Sequence, residues 1–186
     1  GKLIIKEYPT KTASTQTIRN HLEKLRMRTI EVDMILVDYG DLLRPVRYLK
    51  EKRNELESIY EELRAIASEY KCPVWTASQT NRSGLNAEVI TMESISEAFN
   101  KCFVSDFIFS ISRTVEDKMT NSGRMFIAKN RNGPDGLIFP IFMDTANVCI
   151  KVLPPSEETE SVEVDSKKQK ENLFEKYRKF KQNKGE

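Results

Sequence analysis

Met34-Ile35-Leu36-Val37-Asp38-Tyr39 is an apolar run that stops on a carboxylate. A strand of a parallel sheet that ends in an acidic or amide residue delivers that group to the sheet's carboxyl edge, where such sheets bind ligands. Val74-Trp75-Thr76-Ala77-Ser78-Gln79 repeats the pattern with an amide at its end. Between the two, a helical pattern runs from about Val46 to Tyr70, with Leu49, Leu56, Ile59, Leu63, Ile66 and Ala67 on one stripe and Pro73 closing it. Strand, helix and strand in that order predict an α/β domain with a parallel sheet flanked by helices.

Upstream, Leu3-Ile4-Ile5 reads as an earlier strand and Pro9 to Thr15 as a polar link. Ile18, Leu22 and Leu25 then recur at helical spacing behind Ser14 or Thr15 as N-cap. A chain that opens Gly1-Lys2, with no methionine and directly before an apolar run, is expected of a truncated or proteolysed polypeptide. Downstream, Thr80 to Lys101 is a mostly polar loop with a short amphipathic stretch around Ile95 to Phe99, and loops of that length are functional or disordered. Asp106 to Ser112 reads as a buried strand, and Arg124 to Lys129, Leu137 to Met143 and Val148 to Leu153 as further strands. The turns between these last three, Gly133-Pro134-Asp135-Gly136 and Asp144-Thr145-Ala146-Asn147, are too tight for anything but antiparallel neighbours. The predicted organisation is therefore one domain over 1–153, an acidic linker over 154–166, and a basic helical tail over 167–186 with Leu173, Phe174, Tyr177 and Phe180 on one face.

Composition bounds the function. A chain of 186 residues with 39% hydrophobic content can bury one full core. Thirty Lys and Arg against 28 Asp and Glu leave a net charge of +2, so any nucleic-acid surface must be local. Cys72, Cys102 and Cys149 are odd in number and far apart, with no Cys-x-x-Cys, which points to reduced core thiols and away from disulfides or a zinc site. The single His21 falls on the first predicted helix as a surface or flanking residue. No apolar run approaches the ~20 residues of a membrane span, so a soluble, cytoplasmic protein is expected.

A carboxylate, an amide and paired cations are what a Mg-nucleotide site needs beyond its phosphate cradle, because phosphoryl transfer relies on positioning and charge stabilisation. The cations come from Ile127-Ala128-Lys129-Asn130-Arg131-Asn132-Gly133-Pro134. No G-x-x-x-x-G-K-[ST] occurs in the 186 residues. The chain thus reads as the second half of a nucleotide motor and should not hydrolyse ATP by itself.

Asp38-Tyr39, Ser78-Gln79-Thr80-Asn81-Arg82 and Lys129-Asn130-Arg131-Asn132-Gly133-Pro134, each behind an apolar strand, resemble the carboxyl-terminal motor domain of DnaB-type hexameric replicative helicases, with phrasing nearest the phage members. The likeness covers about Leu3 to Leu153. It implies a RecA-like core, a homo-hexameric ring, ATP with Mg2+, translocation on single-stranded DNA, and a primase or helicase loader as partner. The family's phosphate-binding loop and catalytic glutamate precede Gly1, and the stretch before Asp106 departs from the usual bacterial wording. Other readings are a RecA-like recombinase, which should lack the paired cations, and a non-catalytic ring partner that offers Lys129 and Arg131 to another protein's nucleotide.

The resemblance assigns roles residue by residue. Asp38 would hold Mg2+ through its water shell, against the alternative of a strand-end Asp capping a turn. Asp41 reads as a solvated or capping residue. Gln79 would sense the γ-phosphate or attacking water, against a satisfied polar strand end. On a strand Lys129 and Arg131 point to one face, and the resemblance sends both across a subunit interface to a neighbour's γ-phosphate, against the alternative of cations protecting a sheet edge. Arg82, Ser94 and Lys101 are the DNA-contact candidates by residue type, and backbone phosphate contact is expected there more than base stacking.

Overall fold

A computed structural model describes residues 1–80, 89–91 and 100–154. The described chain divides into two compact units, one of residues 1–80 and 100–106, the other of 89–91 and 107–154. Residues 81–88, 92–99 and 155–186, which include most of the predicted linker and all of the predicted tail, lie outside the described residues.

In the first unit, α1 (Thr15–Arg26) starts on a capping box: the Ser14 hydroxyl accepts from the Thr17 amide, and the Thr17 hydroxyl accepts from the Ser14 amide at 3.1 Å. Leu22 and Leu25 are buried on its inner face. Strand β1 (Ile35–Val37) leads into a 3-10 turn at Gly40–Leu42, then α2 (Lys52–Tyr70) and β2 (Val74–Thr76). Leu56, Ile59, Tyr60, Leu63 and Ile66 are the buried stripe of α2. The helix ends on Lys71 in the left-handed region, φ 53, whose amide bonds back to the Ala67 carbonyl. Strands β1 and β2 pair in parallel, Ile35 with Val74, Leu36 with Trp75 and Val37 with Thr76.

Leu22, Ile35, Ile59, Tyr60, Leu63, Ile66 and Cys72 form one core cluster, with Val37 and Val74 packed on it. Alternation sends Leu36 and Trp75 to the opposite face, where they are 68% and 37% exposed. Across α1 and α2, Arg19 grips the Glu69 carboxylate with two bonds of 2.8 and 3.0 Å, and the Tyr70 hydroxyl donates to Glu23 at 2.8 Å. A short helix α3 (Asn100–Val104) packs on α2: the Arg64 guanidinium donates to the Val104 carbonyl and pairs with Asp106 at 3.0 Å.

The second unit is a four-stranded antiparallel meander of β3 (Phe107–Ser112), β4 (Ser122–Asn130), β5 (Ile138–Asp144) and β6 (Cys149–Val152), in that spatial order. A five-residue helix α4 (Val115–Met119) joins β3 to β4. Its capping box sets Asp117 against Thr114 at 2.7 and 2.9 Å, and the same carboxylate pairs with Arg124 at 2.9 Å. Phe126, Ile127, Ala128, Ile138 and Ile141 are buried.

Several expectations are corrected. Leu3-Ile4-Ile5 forms no strand and leaves Leu3 and Ile5 79% and 81% exposed, because among the described residues no neighbour offers that segment a ladder. α2 starts at Lys52, not near Val46. β3 is not buried throughout but alternates exposed and covered positions. The parallel sheet has two strands among the described residues. The α/β class, the N-cap and the terminal meander stand.

Candidate functional site

The carboxyl ends of β1 and β2 are tied together before any functional side chain is placed. Thr76 donates its hydroxyl to the Val37 carbonyl at 2.9 Å and accepts from the Gly40 amide at 2.7 Å, so the last residue of β2 clamps the loop that leaves β1. Gly40 fits there because a Cβ would stand 3.2 Å from the Thr76 hydroxyl and 3.3 Å from the Tyr60 ring. The Asp38-Tyr39 peptide in this loop is cis.

Asp38 is exposed at the carboxyl edge. Gln79, also exposed, donates its amide to the Tyr39 hydroxyl at 2.7 Å, which brings the first and second sequence motifs together. Arg82 and Ser94 lie outside the described residues.

Asp41 is neither solvated nor a simple cap. Its Oδ1 accepts from the Tyr60 hydroxyl at 2.8 Å, its Oδ2 from Ser78 at 3.3 Å, and the Lys101 ammonium lies 3.2 Å from both oxygens. Lys101 is 2% exposed, and its Nζ also sits 5.5 Å from the centre of the Tyr60 ring. An ammonium enclosed in this way does not face a nucleic-acid backbone, so Lys101 is removed from the DNA-contact candidates. Burial first, then the charge of Asp41 and the hydrogen bond to it, push the Tyr60 hydroxyl far above the ordinary tyrosine range, and it stays a donor. This cluster was missed in the sequence. Its one local signal is Tyr60 itself, a tyrosine within a buried stripe, whose hydroxyl needs a partner.

Lys129 and Arg131 belong to the second unit. β4 ends at Asn130, so Arg131 lies in the exposed turn and strand alternation does not carry both cations to one face. The register also shifts: Phe109 faces Ile127 while Ile108 faces Lys129, which makes Ala128 the extra residue of a bulge that re-aims half-buried Lys129. Asn130 shapes the turn that carries Arg131. Its side chain donates to the Pro134 carbonyl at 3.2 Å and accepts from the Asn132 amide at 3.3 Å. Gly133 passes so close to this side chain that a Cβ would stand 2.7 Å from its Nδ2, and Gly136 takes φ +79.

No group of three or more His, Cys, Asp or Glu side chains among the described residues could hold a metal. A lone exposed carboxylate fits Mg2+, which keeps most of its waters and takes few protein oxygens. No helix among the described residues is long and apolar enough to cross a membrane. Cys72, Cys102 and Cys149 are not joined in disulfides.

Comparison with known proteins bears on this arrangement. The DnaB-like helicase C terminal domain model matches residues 2–148. The DnaB-like replicative helicase of Enterobacteria phage T4 is 32% identical over 120 residues, 62% of this chain and 25% of that protein. The Replicative DNA helicase DnaB of Mycoplasma genitalium is 25% identical over 167 residues, 83% of this chain and 35% of that protein. The chain therefore spans about a quarter to a third of the length of these relatives. Among solved structures, the "ATPase Domain of G40P" is similar with a TM-score of 0.67 at 20% identity, covering 76% of this chain and 52% of that one. A DnaB-like replicative helicase, solved in work on its interactions with primase, gives 0.62 at 21% identity, covering 72% of this chain and 34% of that one. Its match over 2–148 and its α/β arrangement establish that the chain belongs to the DnaB-like helicase C-terminal domain family.

Proposed function

We infer that the chain is part of the motor of a ring-forming replicative DNA helicase, a RecA-like core that couples ATP hydrolysis to movement along single-stranded DNA and to duplex unwinding in the cytoplasm. The observation that carries this reading is the placement of exposed Asp38 and Gln79 just beyond the paired strands β1 and β2, with Thr76 bonded to the Val37 carbonyl and Gln79 to the Tyr39 hydroxyl. When bound, Mg2+ would neutralise phosphate charge and orient the transferring group. Asp38 would hold that ion through its bound water. Gln79 has an amide that can exchange the Tyr39 hydroxyl for a γ-phosphate oxygen or the attacking water, so loss of the 2.7 Å bond would move the chain that follows β2.

Arg131, held outward on a turn braced by Asn130, is the trans-acting finger toward a neighbouring subunit's nucleotide, with Lys129 as the accompanying point charge. A neighbouring subunit follows from that role, because a finger acts in trans, and a homo-hexameric ring is the proposed assembly. Arg82 and Ser94 remain the candidates for single-stranded DNA. A primase is the proposed partner, supported by the solved DnaB-like helicase studied with primase.

The test is ATP turnover by the full-length polypeptide, with and without single-stranded DNA, beside Arg131→Ala. Turnover stimulated by DNA and reduced ~10³ to 10⁵-fold in the variant, with nucleotide binding kept, is the expected result. A full-length protein that shows no DNA-stimulated turnover would overturn the reading.

A further inference from the structure

Four donor contacts from three elements meet on the carboxylate of Asp41: Tyr60 from α2, Ser78 from the segment after β2, and Lys101 from α3 to both oxygens. Ser78 adjoins Gln79, whose amide reaches Tyr39, and Tyr39 adjoins Asp38. The contacts close a loop: from Asp38 through Tyr39 to Gln79, from Ser78 to Asp41, and back along the chain to Asp38. Both oxygens of Asp41 are taken, and its side chain is 18% exposed. Among the described residues, Ser78, itself exposed, connects this charge pair directly to the segment bearing the amide.

We propose that Asp41 and Lys101 are positioning residues for the nucleotide chemistry, an ion pair with a buried ammonium that anchors Ser78 and so fixes where Gln79 stands relative to Asp38. The inference rests on the helicase-motor reading above. Neither residue touches nucleotide. Lys101 holds the Asp41 carboxylate in place, and Asp41 holds the Ser78 hydroxyl. A displacement of the Gln79 segment by about 1 Å is enough to lower turnover ~10²-fold.

A purely structural ion pair makes a different prediction. Removing one partner strands a buried charge, whereas replacing both with apolar groups of similar volume is often neutral or stabilising. Asp41→Leu combined with Lys101→Met therefore separates the two roles, since Tyr60 keeps the Ala77 carbonyl, 3.3 Å away, as acceptor. In the full-length polypeptide, the double variant is expected to melt near the wild-type temperature. It should retain the wild-type KM for ATP and lose ~10²-fold in DNA-stimulated kcat. Ser78→Ala, which leaves the charge pair intact, should lower kcat in the same direction without shifting the melting temperature.

Wild-type kcat in the folded double variant would overturn the positioning role while leaving the helicase reading in place. If the double variant does not fold, Ser78→Ala decides, and unchanged kcat there overturns the proposal. No turnover from wild type overturns the helicase reading and this inference with it.

Discussion

Asp38 and Asp41 share a loop and a side chain but not a role, and the difference is solvent. Asp38 is exposed, which suits the role proposed for it toward a hydrated cation. Asp41 is enclosed and saturated with donors, so its charge is spent inside the protein. Asp117 is a third case, a carboxylate used to build a turn. Burial opposes its ionised form, but the Thr114 amide and hydroxyl, the Ser122 hydroxyl and the Arg124 charge outweigh it and hold its pKa below the usual aspartate value. A depressed folded pKa means that the stabilisation is complete above the unfolded value of about 3.9 and is lost as pH falls through the folded one. Asp117→Asn should therefore destabilise the protein by about 1 to 2 kcal/mol at pH 7. Urea denaturation at pH 7 and pH 3 checks this: the gap between wild type and variant should narrow in acid, and a gap independent of pH would refute the ionic origin.

Elements divide by whether their signals are local. The cap of α1 and the stripe of α2 were legible because Ser14 and the spacing of Leu56, Ile59, Leu63 and Ile66 encode them within a few residues. The start of α2 was not legible, since Val46 and Leu49 extend the apolar pattern yet are 52% and 45% exposed in the segment before it. Leu3 to Ile5 has a strand's composition but, among the described residues, no strand partner, and composition alone cannot supply one. The site shows the same division. Asp38 and Gln79 were visible as strand-ending polar residues, whereas the Asp41–Lys101 pair is made by residues far apart in sequence, and the bulge at Ala128 that re-aims Lys129 depends on a neighbouring strand. The C-terminus of α2 gives a prediction at this scale. Lys71 occupies the left-handed region, which strains a side chain and suits glycine. Lys71→Gly should stabilise the protein by about 0.5 to 1 kcal/mol in chemical denaturation, and Lys71→Val should destabilise it. A loss of stability in the glycine variant would refute the argument.

For the molecule as a whole, the first unit's stability rests on one cluster with apolar surface left over. Leu36 and Trp75 stand exposed on the face of the β1–β2 pair opposite that cluster, so hydrophobic burial is concentrated on the α1 and α2 side. Ile66 is 0% exposed within the cluster that joins Leu22, Ile35, Ile59, Leu63 and Cys72. Truncating it removes the transfer energy of its side chain and leaves a cavity that close-packed neighbours can only partly fill. Ile66→Ala should cost about 2 to 5 kcal/mol, a large share of the 5 to 15 kcal/mol that holds a typical domain. Ile66→Val should cost about 0.5 to 1.5 kcal/mol. The chain has a single tryptophan, Trp75, and its place on β2 makes its fluorescence a reporter of this unit during urea unfolding. A midpoint that falls steeply for alanine and slightly for valine, at constant slope, places Ile66 at the centre of the core. Equal small shifts for both variants would show that the site collapses around the missing atoms, and that the cluster is packed less tightly than its burial indicates.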